Sequence, residues 1–151
     1  MDILLIEPNP DQAGLMRRAI AEHDGWRVTT LPNASAGARY IRHEQPFREA
    51  PLPDVILFDF RPTALTDVAL LVDANNVRME RGHAMVIVPL VSRNADGIRS
   101  SLAGLGADDC FVKPQKDAEA AEIASRVGSI AQLIRNNGKA SHGYQRVMEA
   151  L

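Results

Sequence analysis

Pro53-Asp54-Val55-Ile56-Leu57-Phe58-Asp59-Phe60-Arg61-Pro62 is the stretch on which the fold turns. Residues 55–58 are apolar without alternation, which suits a strand covered on both faces rather than one with a solvated side. The run stops at a carboxylate, Asp59, and Pro62 closes the exit from the strand. A buried strand that ends in an acid places that acid at an edge where a site can form.

Upstream, residues 3–6 form a second continuous apolar run and imply another central strand. Asn9 followed by Pro10 reads as an N-cap and first helical position, with Leu15, Met16, Ala19 and Ile20 as the buried stripe and Asp24-Gly25 as the stop. Residues 26–31, rich in Val and Thr, predict a strand, and Asn33 is placed to cap a helix running to about His43. Residues 45–53 read as a loop.

Downstream, Val68, Leu71, Val72 and Ala74 predict a helix whose pattern decays toward Glu80-Arg81-Gly82. Residues 85–91 read as a buried strand carrying Pro89. Ile98, Leu102 and Leu105 fall at i, i+4 and i+7 of a helix that Gly106 stops. Residues 109–112 predict a short strand reaching Lys113-Pro114. The clearest periodicity belongs to Ala120, Ile123, Ala124, Val127, Ile130, Ala131 and Ile134.

Strict alternation of strand and helix requires crossover connections, so the expected class is α/β, a doubly wound five-stranded parallel sheet with five flanking helices. In such sheets the functional crevice lies at the carboxyl ends of the strands. Those ends carry Glu7, Asp59, Val91 with Ser92, and Lys113. Two carboxylates and an ammonium are expected to converge.

The segments LLIEPNPD (4–11), PDVILFDF (53–60) and GADDCFVKP (106–114) resemble the receiver domain of two-component response regulators over roughly residues 2–135. The resemblance implies a flavodoxin-like fold and, at Asp59, a nucleophile that accepts a phosphoryl group from a phosphohistidine. It implies Mg²⁺ held by Glu7, Asp59 and the backbone carbonyl of Arg61, with Lys113 pairing with the phosphoryl oxygen. Phosphoryl transfer asks for such parts, since it depends on alignment and charge neutralisation, and Mg²⁺ favours oxygen ligands. Implied partners are a histidine kinase or phosphotransfer protein and a downstream effector, with a homodimer seam on the last helix as a further option. The implied role is signalling and not enzymatic turnover.

Three positions depart from the family pattern. Pro8 stands where the second of two adjacent acids is expected, which removes a metal contact. Val91 stands where a Thr or Ser would donate to the phosphoryl group, and valine has no donor. Cys110, followed by Phe111, stands at the aromatic switch position. The spacing also allows the Arg61 guanidinium to swing toward Asp59 and supply charge there. The alternative reading is therefore a pseudo-receiver, a protein-protein interaction module that works without phosphorylation.

Bulk properties agree with one soluble domain. The chain has 151 residues, room for one core and not two. Apolar residues at 46% and charged residues at 24% argue against a disordered chain. A formal net charge of −2 supplies no attraction to nucleic acid or an anionic membrane. Neither a signal peptide nor a spanning run of about 20 apolar residues is visible, and the lone Cys110 cannot form an internal disulfide, so a cytoplasmic location is expected. Cys110 reads as packing. His23, His43, His83 and His142 lack metal-ligand spacing, and Gly104 with Gly106 does not make a dinucleotide loop.

The expected organisation is a receiver unit over residues 1–136 and a tail over 137–151. In that tail Tyr144, Val147, Met148 and Leu151 recur at helical spacing. Fifteen residues are too few for a DNA-binding output domain, and the tail is open to fraying, to docking, or to continuing as a linker.

Overall fold

The computed structural model describes the backbone of residues 1–150 and the side chains of residues 1–136. Strands and helices alternate as β1 (Asp2–Ile6), α1 (Pro10–Ala21), β2 (Arg27–Leu31), α2 (Ala34–Ile41), β3 (Val55–Asp59), α3 (Leu65–Arg81), β4 (Val86–Val91), α4 (Ala95–Gly104), β5 (Phe111–Val112) and α5 (Asp117–Ala150). All strands pair in parallel in the order β2-β1-β3-β4-β5. This is the five-stranded doubly wound sheet expected from the alternation. Among the described residues no helix is long and apolar enough to cross a membrane.

The unbroken apolar strands follow from two cores. Leu4, Ile6, Ile56, Phe58, Ile87 and Val91 point into a cluster covered by α2, α3 and α4. Their sequence neighbours Ile3, Leu5, Val55, Leu57, Val86 and Val88 point the other way, under α1 and α5. Successive strand residues face opposite sides, so only a strand apolar at every position satisfies both layers. Each fully buried Leu or Ile contributes roughly 1.5–3 kcal/mol.

Helix boundaries refine the sequence reading. Asn9 caps α1, its Oδ1 accepting from the N–H groups of Asp11 and Gln12 at 2.9 and 3.2 Å. The helix ends at Ala21 with Glu22 as C-cap, three residues before Gly25. Asn33 caps α2 through Ala36 N–H at 2.9 Å, and that helix stops at Ile41, because His43 takes a positive φ of 56°. In α3 the buried residues are Asp67, Leu70, Leu71 and Ala74, while Val72 faces solvent. The decaying pattern there reflects apolar residues on both sides of one helix. Gly82 closes α3 in the left-handed conformation at φ 61°, where a side chain would strain the backbone.

β5 is two residues shorter than expected at its start, where Asp109 turns its side chain to other work, as does Asp108 before it. Asp108 Oδ2 accepts from Ile87 N–H at 2.7 Å and from Arg78 at 2.8 Å. Asp109 Oδ1 accepts from Cys110 N–H at 2.7 Å and from Arg99 at 2.9 Å. Helix α5 runs through residues 136–138. The contacts expected of Tyr144, Val147, Met148 and Leu151 lie outside the described side chains.

Candidate functional site

Three strand ends build the site. Glu7 follows β1, and its N–H bonds to Leu31 O at 3.1 Å, which continues the ladder with β2 past the last strand residue. Its Oε1 accepts from Asn9 N–H at 3.3 Å, so the residue that caps α1 also orients Glu7. Asp59 closes β3 and pairs in register with Leu90. Lys113 follows β5 and is fixed by its own N–H to Val91 O at 2.8 Å.

The side chains meet. Lys113 Nζ donates to Glu7 Oε1 at 2.9 Å and to Asp59 Oδ1 at 3.0 Å. The Glu7 side chain is 3% exposed, Lys113 14% and Asp59 15%. At such burial a lone carboxylate would be costly, and the shared ammonium offsets that cost. Burial pushes Glu7 above its ordinary carboxylate value, against the lowering pull of Lys113. Burial acts on Lys113 in the opposite sense, yet the bonds from Glu7 and Asp59 carry its pKa above the ordinary lysine value. The ammonium stays charged.

A recess of about 210 Å³ opens beside Asp59, bounded by Pro8, Ser35, Arg61, Thr66 and Asp67. A larger groove, about 800 Å³, lies among Met1, Trp26, Ala84 and Arg135 at the opposite ends of the strands, away from the carboxylates.

Arg61 does not swing toward Asp59. Its guanidinium is 68% exposed and lies with Nε 3.4 Å from Asp67 Oδ2, so the expectation of an arginine charge at Asp59 is corrected. The physical reason is Asp67, buried to 4% exposure on the first turn of α3, whose Oδ2 also accepts Arg61 N–H at 2.9 Å. Sequence reasoning missed Asp67. The available signal was an acid in a first helical turn, a position the helix dipole favours. The Arg61 carbonyl accepts from Ala64 N–H at 3.0 Å, leaving one lone pair.

Val91 is 2% exposed and packs in the core under α3 and α4, so no hydroxyl stands at its position. Ser92 follows it on the surface. Cys110 is fully buried, and burial pushes its thiol up to about 11, in keeping with a packing role.

The donor set was weighed against a divalent cation on its chemistry. Lys113 engages one oxygen of each carboxylate, and among the described residues no hydrogen bond is made to Glu7 Oε2 or Asp59 Oδ2. Two such hard oxygens and a carbonyl fit Mg²⁺ completed by water and phosphate. They do not make an all-protein cage: no group of three or more His, Cys, Asp or Glu able to hold a metal occurs among the described residues.

No protein-family profile matches the sequence, and no curated protein matches it significantly. Solved structures do match. The phosphorylated cyanobacterial phytochrome response regulator RcpA is 20% identical with a TM-score of 0.67, over 83% of this chain and 89% of its own. A CheY-like receiver domain protein from Methanospirillum hungatei is 15% identical with a TM-score of 0.69, over 90% of this chain and 97% of its own. The Mn²⁺-bound form of response regulator Rcp1 is 14% identical with a TM-score of 0.67, over 85% of this chain and 91% of its own. Identities this low speak to architecture: the chain has the flavodoxin-like fold of response regulator receiver domains.

Proposed function

We propose that this chain is a signalling receiver that takes a phosphoryl group onto Asp59 from a phosphohistidine of a histidine kinase or phosphotransfer protein. The observation that carries the reading is the single ammonium of Lys113 held 3.0 Å from Asp59 and 2.9 Å from Glu7. An Asp59 carboxylate oxygen attacks phosphorus, the phosphorus–nitrogen bond breaks, and its electron pair returns to the imidazole. The product is an acyl phosphate on Asp59, with Lys113 close enough to neutralise an added phosphoryl oxygen. Glu7, by sharing Lys113, keeps the ammonium aimed at the reacting carboxylate.

Glu7, Asp59 and the Arg61 carbonyl would hold Mg²⁺, which when bound supplies positive charge to the phosphoryl oxygens. The ionised triad carries two negative charges and one positive, and Pro8 adds none, so the affinity is expected to be low. The phosphorylated state of RcpA and the Mn²⁺-bound state of Rcp1 lend support by analogy. Residues 1–136 form the receiver unit in this reading and 137–151 a tail. The chain acts in the cytoplasm as a stoichiometric acceptor, with an effector protein downstream.

A second reading, an interaction module indifferent to phosphorylation, is favoured by Val91. Its aliphatic side chain is buried where a hydroxyl would have to respond to a phosphoryl group. One experiment separates the two: intact mass after incubation with Mg²⁺ and a small-molecule phosphodonor, for wild type and Asp59→Asn. A single phosphoryl adduct on wild type that the variant lacks supports acceptance. Absence of any adduct, together with absence of Mg²⁺ binding, moves the function to the second reading.

A further inference from the structure

Asp67 is a buried carboxylate that bonds outside its own helix. It is the third residue of α3, behind Ala64 at the cap. A side chain in that position ordinarily reaches back to the N–H of the cap residue. Here the Ala64 N–H donates to Arg61 O at 3.0 Å, and Asp67 Oδ2 accepts instead from Arg61 N–H at 2.9 Å. The residue held in this way carries the backbone carbonyl assigned above to the metal.

We propose that Asp67 is a positioning residue for that carbonyl: it fixes the Arg61 backbone beside Asp59 and thereby sets the affinity of the site for a divalent cation. The inference rests on the metal-supported reading of Asp59. Phe60 N–H bonds to Leu90 O at 2.8 Å, and Arg61 follows as the first residue beyond that ladder, with Pro62 and Thr63 exposed after it. Without Asp67, the Arg61 backbone would keep only its bond from Ala64. With it, Arg61 is tied to the first turn of a helix that Leu70, Leu71 and Ala74 anchor in the core. The N–H of Asp67 returns to Ala64 O at 3.1 Å, so residues 61, 64 and 67 form one closed set of bonds.

The geometry separates this role from two others. Asp67 lines the recess beside Asp59, yet it does not join Glu7 and Asp59 in a group of three acids able to hold a metal, so it acts through Arg61 and not as a ligand. The exposed Arg61 guanidinium meets the same Oδ2 through Nε at 3.4 Å, a longer contact than the backbone bond, so the amide is the main partner. A neutral acceptor would satisfy one N–H at a lower burial cost, whereas a carboxylate makes the bond charge-assisted and roughly twice as strong. With Pro8 in place of an acid, the Arg61 carbonyl is one of three protein oxygens left to the metal, and its placement counts for more. Outer partners that orient ligands are worth about 10–100-fold in metal affinity.

Amide NMR of the full chain tests this with two readouts: a Mg²⁺ titration gives the affinity, and hydrogen exchange of the Arg61 amide without metal reports the bond to Asp67. Asp67→Ala is expected to bind Mg²⁺ roughly 10-fold more weakly and to exchange that amide faster. Asp67→Asn, which keeps an oxygen acceptor, is expected to lie closer to wild type in both. Asp108→Ala strands the Ile87 amide at the far end of β4 and is expected to lose stability while keeping the wild-type affinity, which separates positioning from general weakening. In an Arg61→Ala background, Asp67→Ala is expected to cause the same fold loss, because the carbonyl belongs to the backbone. Wild-type affinity in Asp67→Ala, an Asp67→Asn as weak as Asp67→Ala, an equal loss in Asp108→Ala, or affinity restored in the double variant would each overturn the role of Asp67 and leave the metal site standing. A wild type that protects the Arg61 amide and binds no Mg²⁺ would overturn the metal reading itself, and this role with it.

Discussion

Replacing Lys113 with Met removes the one cation between two buried carboxylates and keeps the volume of the side chain. Two charge-assisted bonds, at 2.9 and 3.0 Å, are lost at once, and Glu7 is left 3% exposed with no counter-charge. Breaking a buried pair by removing one partner costs about 3–5 kcal/mol. Because Asp59 is 15% exposed and burial already raises the Glu7 pKa, the low end, about 3 kcal/mol at neutral pH, is expected. That corresponds to about 6–12 °C in Tm for a chain of this length.

The pH dependence has a definite sign. Without Lys113, Glu7 loses its main lowering influence and its folded pKa rises further above the unfolded value. A raised carboxyl pKa stabilises the folded state most below the ordinary value and less as pH rises through the folded one. The variant should therefore be closest to wild type near pH 4.5 and fall away from it toward pH 7. Urea unfolding of both proteins across this range is the assay. A loss under about 0.5 kcal/mol at neutral pH, or a gap that stays constant with pH, would refute the buried triad.

Other perturbations probe its surroundings. A Cβ on Gly37 would lie 2.2 Å from Ile6 Cδ1, so Gly37→Ala should destabilise by roughly 1–3 kcal/mol in denaturant unfolding and disturb the strand end that carries Glu7. Asp67→Ala strands the Arg61 N–H beside the site and should cost about 1–3 kcal/mol, while Asp67→Asn, which keeps an acceptor, should cost less by the same measurement. Cys110, with its thiol pushed up to about 11, should resist a thiol reagent at pH 8 in the native protein and react after denaturation; fast native labelling would contradict its burial.

The fold was legible because residues 3–6, 55–58 and 86–91 are apolar at nearly every position, and only a sheet covered on both sides uses such runs. The triad was legible for a related reason: each of its members is the first polar residue at or beyond the end of such a strand. α3 was read less well. Its apolar residues lie on two faces, so Val72 passes for core when Leu70 is the buried residue. The direction of Arg61 was beyond reach, because one long side chain chose between Asp59 and Asp67, and the choice rests on an acid six residues along the chain. Asp109 reads as a strand residue until its bond to the Cys110 backbone amide is seen.

Fluorine NMR of the protein with beryllofluoride and Mg²⁺ tests the central proposal most directly, because beryllofluoride imitates a phosphoryl group bonded to a carboxylate oxygen. A bound fluoride signal is expected in wild type, absent in Asp59→Asn and weakened in Lys113→Met and Glu7→Gln. A wild-type spectrum showing free beryllofluoride alone, or a bound signal that persists in Asp59→Asn, would contradict the assignment of Asp59, Lys113 and Glu7 to one phosphoryl-accepting site.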